Sequence, residues 1–214
     1  MKIIVKPGGL SFIALVLISL TVFVVTWNKK VGTVAEQASA RSRIAVNSSA
    51  TVSGSDGKEM LVNGGFESKF TPYNKLLPTD TLSVTGNIGE MWYDNSGWAK
   101  VNVAYDKDTE NPHSGLVSQR ITVSKKIFGQ AQIAQTVAVP VATKLTATVW
   151  IRANKPTQGE QVELWLRDND DHTKIYGHQY VVATTQWQPF VVQGTVSEKN
   201  QTVFMVLLKS PMTL

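Results

Sequence analysis

The chain of 214 residues contains no cysteine. That excludes disulfides, thiolate-bound metals and a cysteine nucleophile, and it leaves a fold held by its core alone. Sustained helical spacing is also missing beyond residue 60, where no stretch of ten or more residues places apolar side chains at intervals of three and four. Gly-x-Ser-x-Gly, His-Glu-x-x-His and a glycine-rich phosphate loop are all absent. His113, His172 and His178 lack metal-ligand spacing, apart from the loop pair His172 and His178. Paired carboxylates for glycoside hydrolysis, such as Glu163 with Glu67 or Glu90, have no spacing that sets them across a cleft, so no catalytic constellation is read.

The last absence is a basic excess in the body of the chain. The net charge of +5 is concentrated in residues 1–60, with seven Lys/Arg against three acids, while the remainder has fourteen against thirteen. A domain that holds nucleic acid through its phosphates carries its own basic surplus, so no nucleic-acid partner is expected.

What is present begins with a basic flank over residues 1–9 and an uncharged apolar run over residues 10–27, LSFIALVLISLTVFVVTW. Eighteen residues at about 1.5 Å each reach about 27 Å, near the thickness of a bilayer's hydrocarbon core. The run reads as a transmembrane signal anchor with Trp27 at the interface, or as a cleavable signal peptide ending at Ala38-Ser39-Ala40. The anchor is favoured, because that site lies far beyond Trp27. Residues 28–58, rich in Ala, Ser, Thr and Val, read as a flexible linker, with a helix around Val34 to Ala45 as the alternative. The domain over residues 59–214 is then placed outside the cytoplasm, at the cell surface or in the periplasm, or secreted if the leader is cleaved.

That domain alternates polar and apolar residues with a period of two. The predicted strands are Ala99 to Tyr105, Gly115 to Val123, Gln130 to Val139, Leu145 to Ala153, Gln161 to Arg167, Lys174 to Val182, Trp187 to Val196 and Thr202 to Leu208. Leu61 to Ser68, LVNGGFES, reads as a short first strand followed by a tight turn. Many short strands separated by turns predict an all-β, antiparallel β-sandwich of the jelly-roll kind.

The alternation also assigns faces. Leu145, Ala147, Val149 and Ile151 oppose Thr146, Thr148, Trp150 and Arg152, and Val162, Leu164 and Leu166 oppose Glu163, Trp165 and Arg167. Tyr176, His178 and Tyr180 share a face. If those strands are neighbours, one surface displays Trp150, Arg152, Glu163, Trp165 and Arg167 with the Tyr/His row. Such a surface suits sugars: pyranose C–H groups pack on aromatic rings, and hydroxyls at the ring edge bond to Arg and Glu. The alternative puts both Trp residues in the core. Trp92, Tyr93 and Trp98 lie in or beside a long polar loop, where each either lines a cleft or pins the loop.

In order along the chain, Leu61 to Glu67, Gly97-Trp98, His113-Ser114-Gly115, Gln132 to Gln135, LTATVWIRA from Leu145 and Trp187 before a strand resemble the carbohydrate-binding modules of families four, nine and twenty-two. The resemblance implies a galactose-binding-like jelly roll that binds polysaccharide or oligosaccharide without catalysis, as an accessory to glycoside hydrolases. It also implies a structural Ca²⁺, for which Glu67 is the ligand that carries over. The family usually has a carboxylate where Gly65 stands, and many members end on a strand carrying Asp, which is not found here. A hard cation wants six or more oxygens, so no cofactor is expected, with calcium left open. The loop Asp168 to Asp171 is a second calcium candidate that also reads as a simple turn.

The function expected is therefore carbohydrate binding by a membrane-tethered module, with Trp165, Glu163, Arg167, Trp150, Arg152, Tyr176, Tyr180 and Trp98 as ligand-binding residues. A cell-surface adhesion or assembly domain that binds protein or envelope components is the alternative.

Overall fold

The structure is a computed structural model in which residues 50–76, 82–199 and 201–214 are described. The expected anchor at residues 10–27 and most of the expected linker lie outside the described residues. The chain divides into the units Met1–Ala45 and Val46–Leu214, and the described residues all belong to the second.

Among the described residues thirteen strands follow one another: β1 (Ala50–Ser53), β2 (Phe70–Leu76), β3 (Ser83–Gly89), β4 (Tyr93–Asp94), β5 (Lys100–Asp108), β6 (Ser118–Phe128), β7 (Ala131–Val137), β8 (Lys144–Ile151), β9 (Val162–Asp168), β10 (Ile175–Val181), β11 (Gln188–Thr195), β12 (Thr202–Leu208) and β13 (Met212–Thr213). They form a three-stranded sheet β1-β8-β11 and two five-stranded sheets, β10-β9-β12-β7-β4 and β13-β6-β5-β3-β2. Neighbours are antiparallel except for β3 and β5, which run parallel. The described residues are all-β, and their sheets form a β-sandwich.

One core joins the three sheets, because alternate residues on each strand are apolar and a strand turns alternate residues to one face. Leu164 and Leu166 of β9, Phe204 and Val206 of β12, Ala147 and Val149 of β8 and Val103 of β5 belong to the same buried cluster. Ile133 and Val206 face Val149, Ile151 and Ile121 across an apolar gap of about 60 Å³. Strand β12, the centre of its sheet, is buried on both faces, which is why its sequence Val-Phe-Met-Val-Leu-Leu runs without alternation.

Two sequence expectations change. Leu61 to Ser68 is a turn rather than a strand, because Asn63 and Phe66 take left-handed backbone angles, φ 56° and 60°. Asn63 holds the turn by donating to the Glu90 carbonyl and accepting from the Ser68 N–H, each at 3.0 Å. Phe66 drops into the core and stacks on Trp92 with centroids 5.0 Å apart. The end of the stretch read as linker contributes β1, whose Ala50 and Val52 are buried against β8. Four residues are too few for the alternation to declare itself.

Candidate functional site

The sheet β10-β9-β12-β7-β4 has a second face, turned away from the shared core, and its register arranges that face in three rows. The first runs Tyr180, Glu163, Leu207, Gln132; the second runs His178, Trp165, Met205, Ala134, Tyr93; the third runs Arg167, Val203, Thr136. Ala134, Val203, Met205 and Leu207 form a separate apolar cluster with Tyr93 and Trp165 packed against it. The face is therefore an apolar row buried at Ala134, Val203, Met205 and Leu207, with one half-buried indole and one half-buried phenol packed against it and charge at its borders.

The charges are ordered by hydrogen bonds. Glu163 is 1 % exposed, a burial a carboxylate tolerates only when its oxygens are matched. Its Oε2 accepts from Trp165 Nε1 at 2.7 Å and lies 3.2 Å from His178 Nε2, while Oε1 is paired with Lys209 Nζ. His178 meets the Trp165 ring edge-on at 5.9 Å and Tyr180 at 4.5 Å. Glu163 thus fixes the plane of Trp165 rather than offering free oxygens to a ligand. At the other end of β9, Arg167 is nearly buried, and burial pulls its guanidinium below its ordinary value while Tyr93 and Asp168 pull it up.

Beyond β7, Asn95 extends the first row by donating to Gln132 Oε1 at 2.8 Å, and Tyr93 OH and Thr136 Oγ1 are 2.9 Å apart. The loop that follows is anchored from beneath. Asp94 accepts from the Ser96 N–H and the Tyr105 hydroxyl, and burial raises its carboxyl above the usual range. Trp98, at the tip, is exposed and meets Phe128 edge-on at 5.9 Å.

The structure brings together Glu163, Trp165, Arg167 and Tyr180 as expected, and it separates three others from them. Trp150 and Arg152 lie on or just after β8, which pairs with β1 and β11 and not with β9. Both point away from the core as read, but on another sheet: Trp150 stacks on His113 at 3.9 Å, and Arg152 binds Asp108 at 3.2 Å with its guanidinium over the Trp187 ring. Asp108 also holds Arg120 at 3.0 Å; burial pushes its carboxyl up, but the Glu110 N–H and the two arginines outweigh this and hold it below the usual range. This cluster borders a cavity of about 360 Å³ lined by Asp108, Arg120, Arg152 and Asn154.

Tyr176 is the third correction. A register shift between Ile175 and Gly177 reverses its side, so it packs against the shared core and donates to Asp168 Oδ2 at 2.7 Å. Bulges of this kind break the period on which face assignment depends. Residues missed in the sequence are Lys209 and Met205, of which Lys209 had a signal, a charge directly after a long apolar strand; Gln132 was singled out there only as part of a motif.

Glu67, the candidate calcium ligand, holds the loop that leads into β6. Its Oε1 accepts from the N–H groups of Leu116 at 3.0 Å and Val117 at 3.3 Å, and its carboxylate occupies the space a Cβ on Gly115 would need. Asp168 closes its own loop by accepting from the N–H groups of Asp170 and Asp171. Among the described residues no three His, Cys, Asp or Glu side chains gather to hold a metal.

No family model and no curated protein matches the chain. Solved structures with a similar course of the chain include a carbohydrate-binding module of family 4 (CBM4), 17 % identical, covering 57 % of this chain and 79 % of that one with a TM-score of 0.46. The Stig cyclase Fisc from Fischerella sp. TAU is 14 % identical, covering 72 % and 89 %, also with a TM-score of 0.46. A family 61 module, TmCBM61, in complex with β-1,4-galactotriose is 16 % identical, covering 58 % and 82 % with a TM-score of 0.39. At these values function rests on the residues themselves.

Proposed function

We propose that this chain binds polysaccharide without catalysis, on the outer face of the sheet β10-β9-β12-β7-β4. The observation that carries the reading is Trp165, an indole lying on an apolar floor and locked in plane by a buried carboxylate. A rigid aromatic plate gives a pyranose face something to stack on at little entropic cost, and the neighbouring Arg167, Tyr180, Tyr93 and Gln132 supply polar groups for ring-edge hydroxyls. In this reading residues 10–27 tether the domain to a membrane, with the β-sandwich outside the cytoplasm. The wider role is that of a substrate-targeting part of a glycoside hydrolase, in a galactose-binding-like jelly roll.

The test is retention of the full chain, in detergent, on insoluble xylan, glucan and cellulose. Retention that Trp165→Ala removes while near-native melting persists is the expected result. No retention on any member of a broad panel would overturn it.

A second reading, a surface adhesion or assembly domain, is favoured by one feature. Trp98, Ile127 and Phe128 are each more than half exposed at neighbouring loop and strand ends. An exposed apolar group of this kind marks a protein contact when it is part of a larger patch.

A further inference from the structure

The charged groups of the face do not cancel. Glu163 is matched by Lys209 and His178. Arg167 stands apart: it is 8 % exposed, its Nε is buried without a hydrogen-bond partner, and among the described residues it forms no ion pair. Asp168, next in the chain, does not supply one, because strand alternation turns it to the opposite side. There its oxygens accept from the N–H groups of Asp170 and Asp171 and from the Tyr176 hydroxyl. A guanidinium keeps its charge and presents five donors in a planar fork, and here the Nε donor is buried with no acceptor, which leaves the fork capacity for an anion.

We propose, building on the carbohydrate reading, that Arg167 receives the carboxylate of a uronic-acid residue, so that the face takes an acidic polysaccharide in preference to a neutral one. Strand β9 sets the spacing. Trp165 and Arg167 are two residues apart on the same face, about 7 Å, so a sugar stacked on the indole, or its neighbour in the glycan, places a carboxylate against the fork. A carboxylate matches that fork with two parallel hydrogen bonds, whereas a hydroxyl offers a single uncharged acceptor. The floor beside Arg167, Val203 and Thr136, carries no acid to repel the ligand.

The experiment pairs each of several uronate polysaccharides, polygalacturonate, glucuronoxylan and alginate among them, with its carboxyl-reduced form, and measures binding to the full chain in detergent by calorimetry. The expected result is at least tenfold tighter binding of an acidic form than of its reduced partner, a preference abolished in Arg167→Gln and partly kept in Arg167→Lys. Equal affinity for the paired forms overturns the role of Arg167 and leaves carbohydrate binding standing. No binding to any polysaccharide, acidic or neutral, overturns both. The wild-type comparison decides the matter even if the substituted chains melt early.

Discussion

The indole N–H of Trp165 donates to Glu163 Oε2 at 2.7 Å, from two residues further along the same strand and on the same face. Strand geometry puts such a pair side by side, and the bond converts proximity into a fixed orientation. The carboxylate that orients the indole is itself held by His178 and Lys209, so four side chains from β9, β10 and the end of β12 act as one unit.

Glu163 is therefore expected to be a positioning residue. Glu163→Ala removes the acceptor for three donors and leaves His178 and Lys209 side by side without an anion, a loss of about 2 kcal/mol given that both are part-exposed. Chemical denaturation checks the stability, and tryptophan fluorescence anisotropy checks the indole. Glycan affinity is expected to fall about tenfold, or about 1.4 kcal/mol, although the carboxylate touches no ligand. Unchanged affinity in a folded variant would show that the indole needs no such support.

Gly177 lies where β10 passes close to β11, and a Cβ there would fall on the Gln193 carbonyl. Gly177→Ala is expected to cost about 1–3 kcal/mol and to displace His178 and Tyr180 from the rows they occupy. A melting curve together with a binding isotherm measures both effects, and an unchanged melting temperature would contradict the close approach.

Much of this arrangement was legible in the sequence. All eight strands read from alternation are present, and the opposition of Leu164 to Glu163 and Trp165 is as read. Strand neighbourhood was not legible, because period-two patterns say which way a side chain points and nothing about which strand lies beside it. Trp150 and Trp165 looked alike for that reason, and only pairing separates them. Tyr176 was misplaced because a bulge leaves no mark in the pattern, and Lys209 was overlooked because it follows its strand rather than belonging to it.

His113 gives the pH dependence. Stacked on Trp150 with Nδ1 buried and unpartnered, it is held by burial below its ordinary value of 6.5. Below pH 6.5 the unfolded chain takes up the proton before the folded one does, so stability is lost as pH falls from 6.5 toward the depressed folded value. Melting temperature is expected to drop on acidification from pH 7 to about 5, and His113→Gln is expected to flatten that part of the profile. An identical slope in the variant would assign the dependence to other groups.

The most direct measurement is the affinity of the full chain for its best polysaccharide in three forms: wild type, Trp165→Ala and Trp150→Ala, each checked for native melting. A buried-edge Trp at the centre of a contact carries about 2 kcal/mol or more, so Trp165→Ala should weaken binding by about 30-fold or beyond, with Trp150→Ala within about twofold of wild type. Full binding by Trp165→Ala, or loss confined to Trp150→Ala, would contradict the placement of the sugar on the face of β9 and move it to the cluster around Asp108.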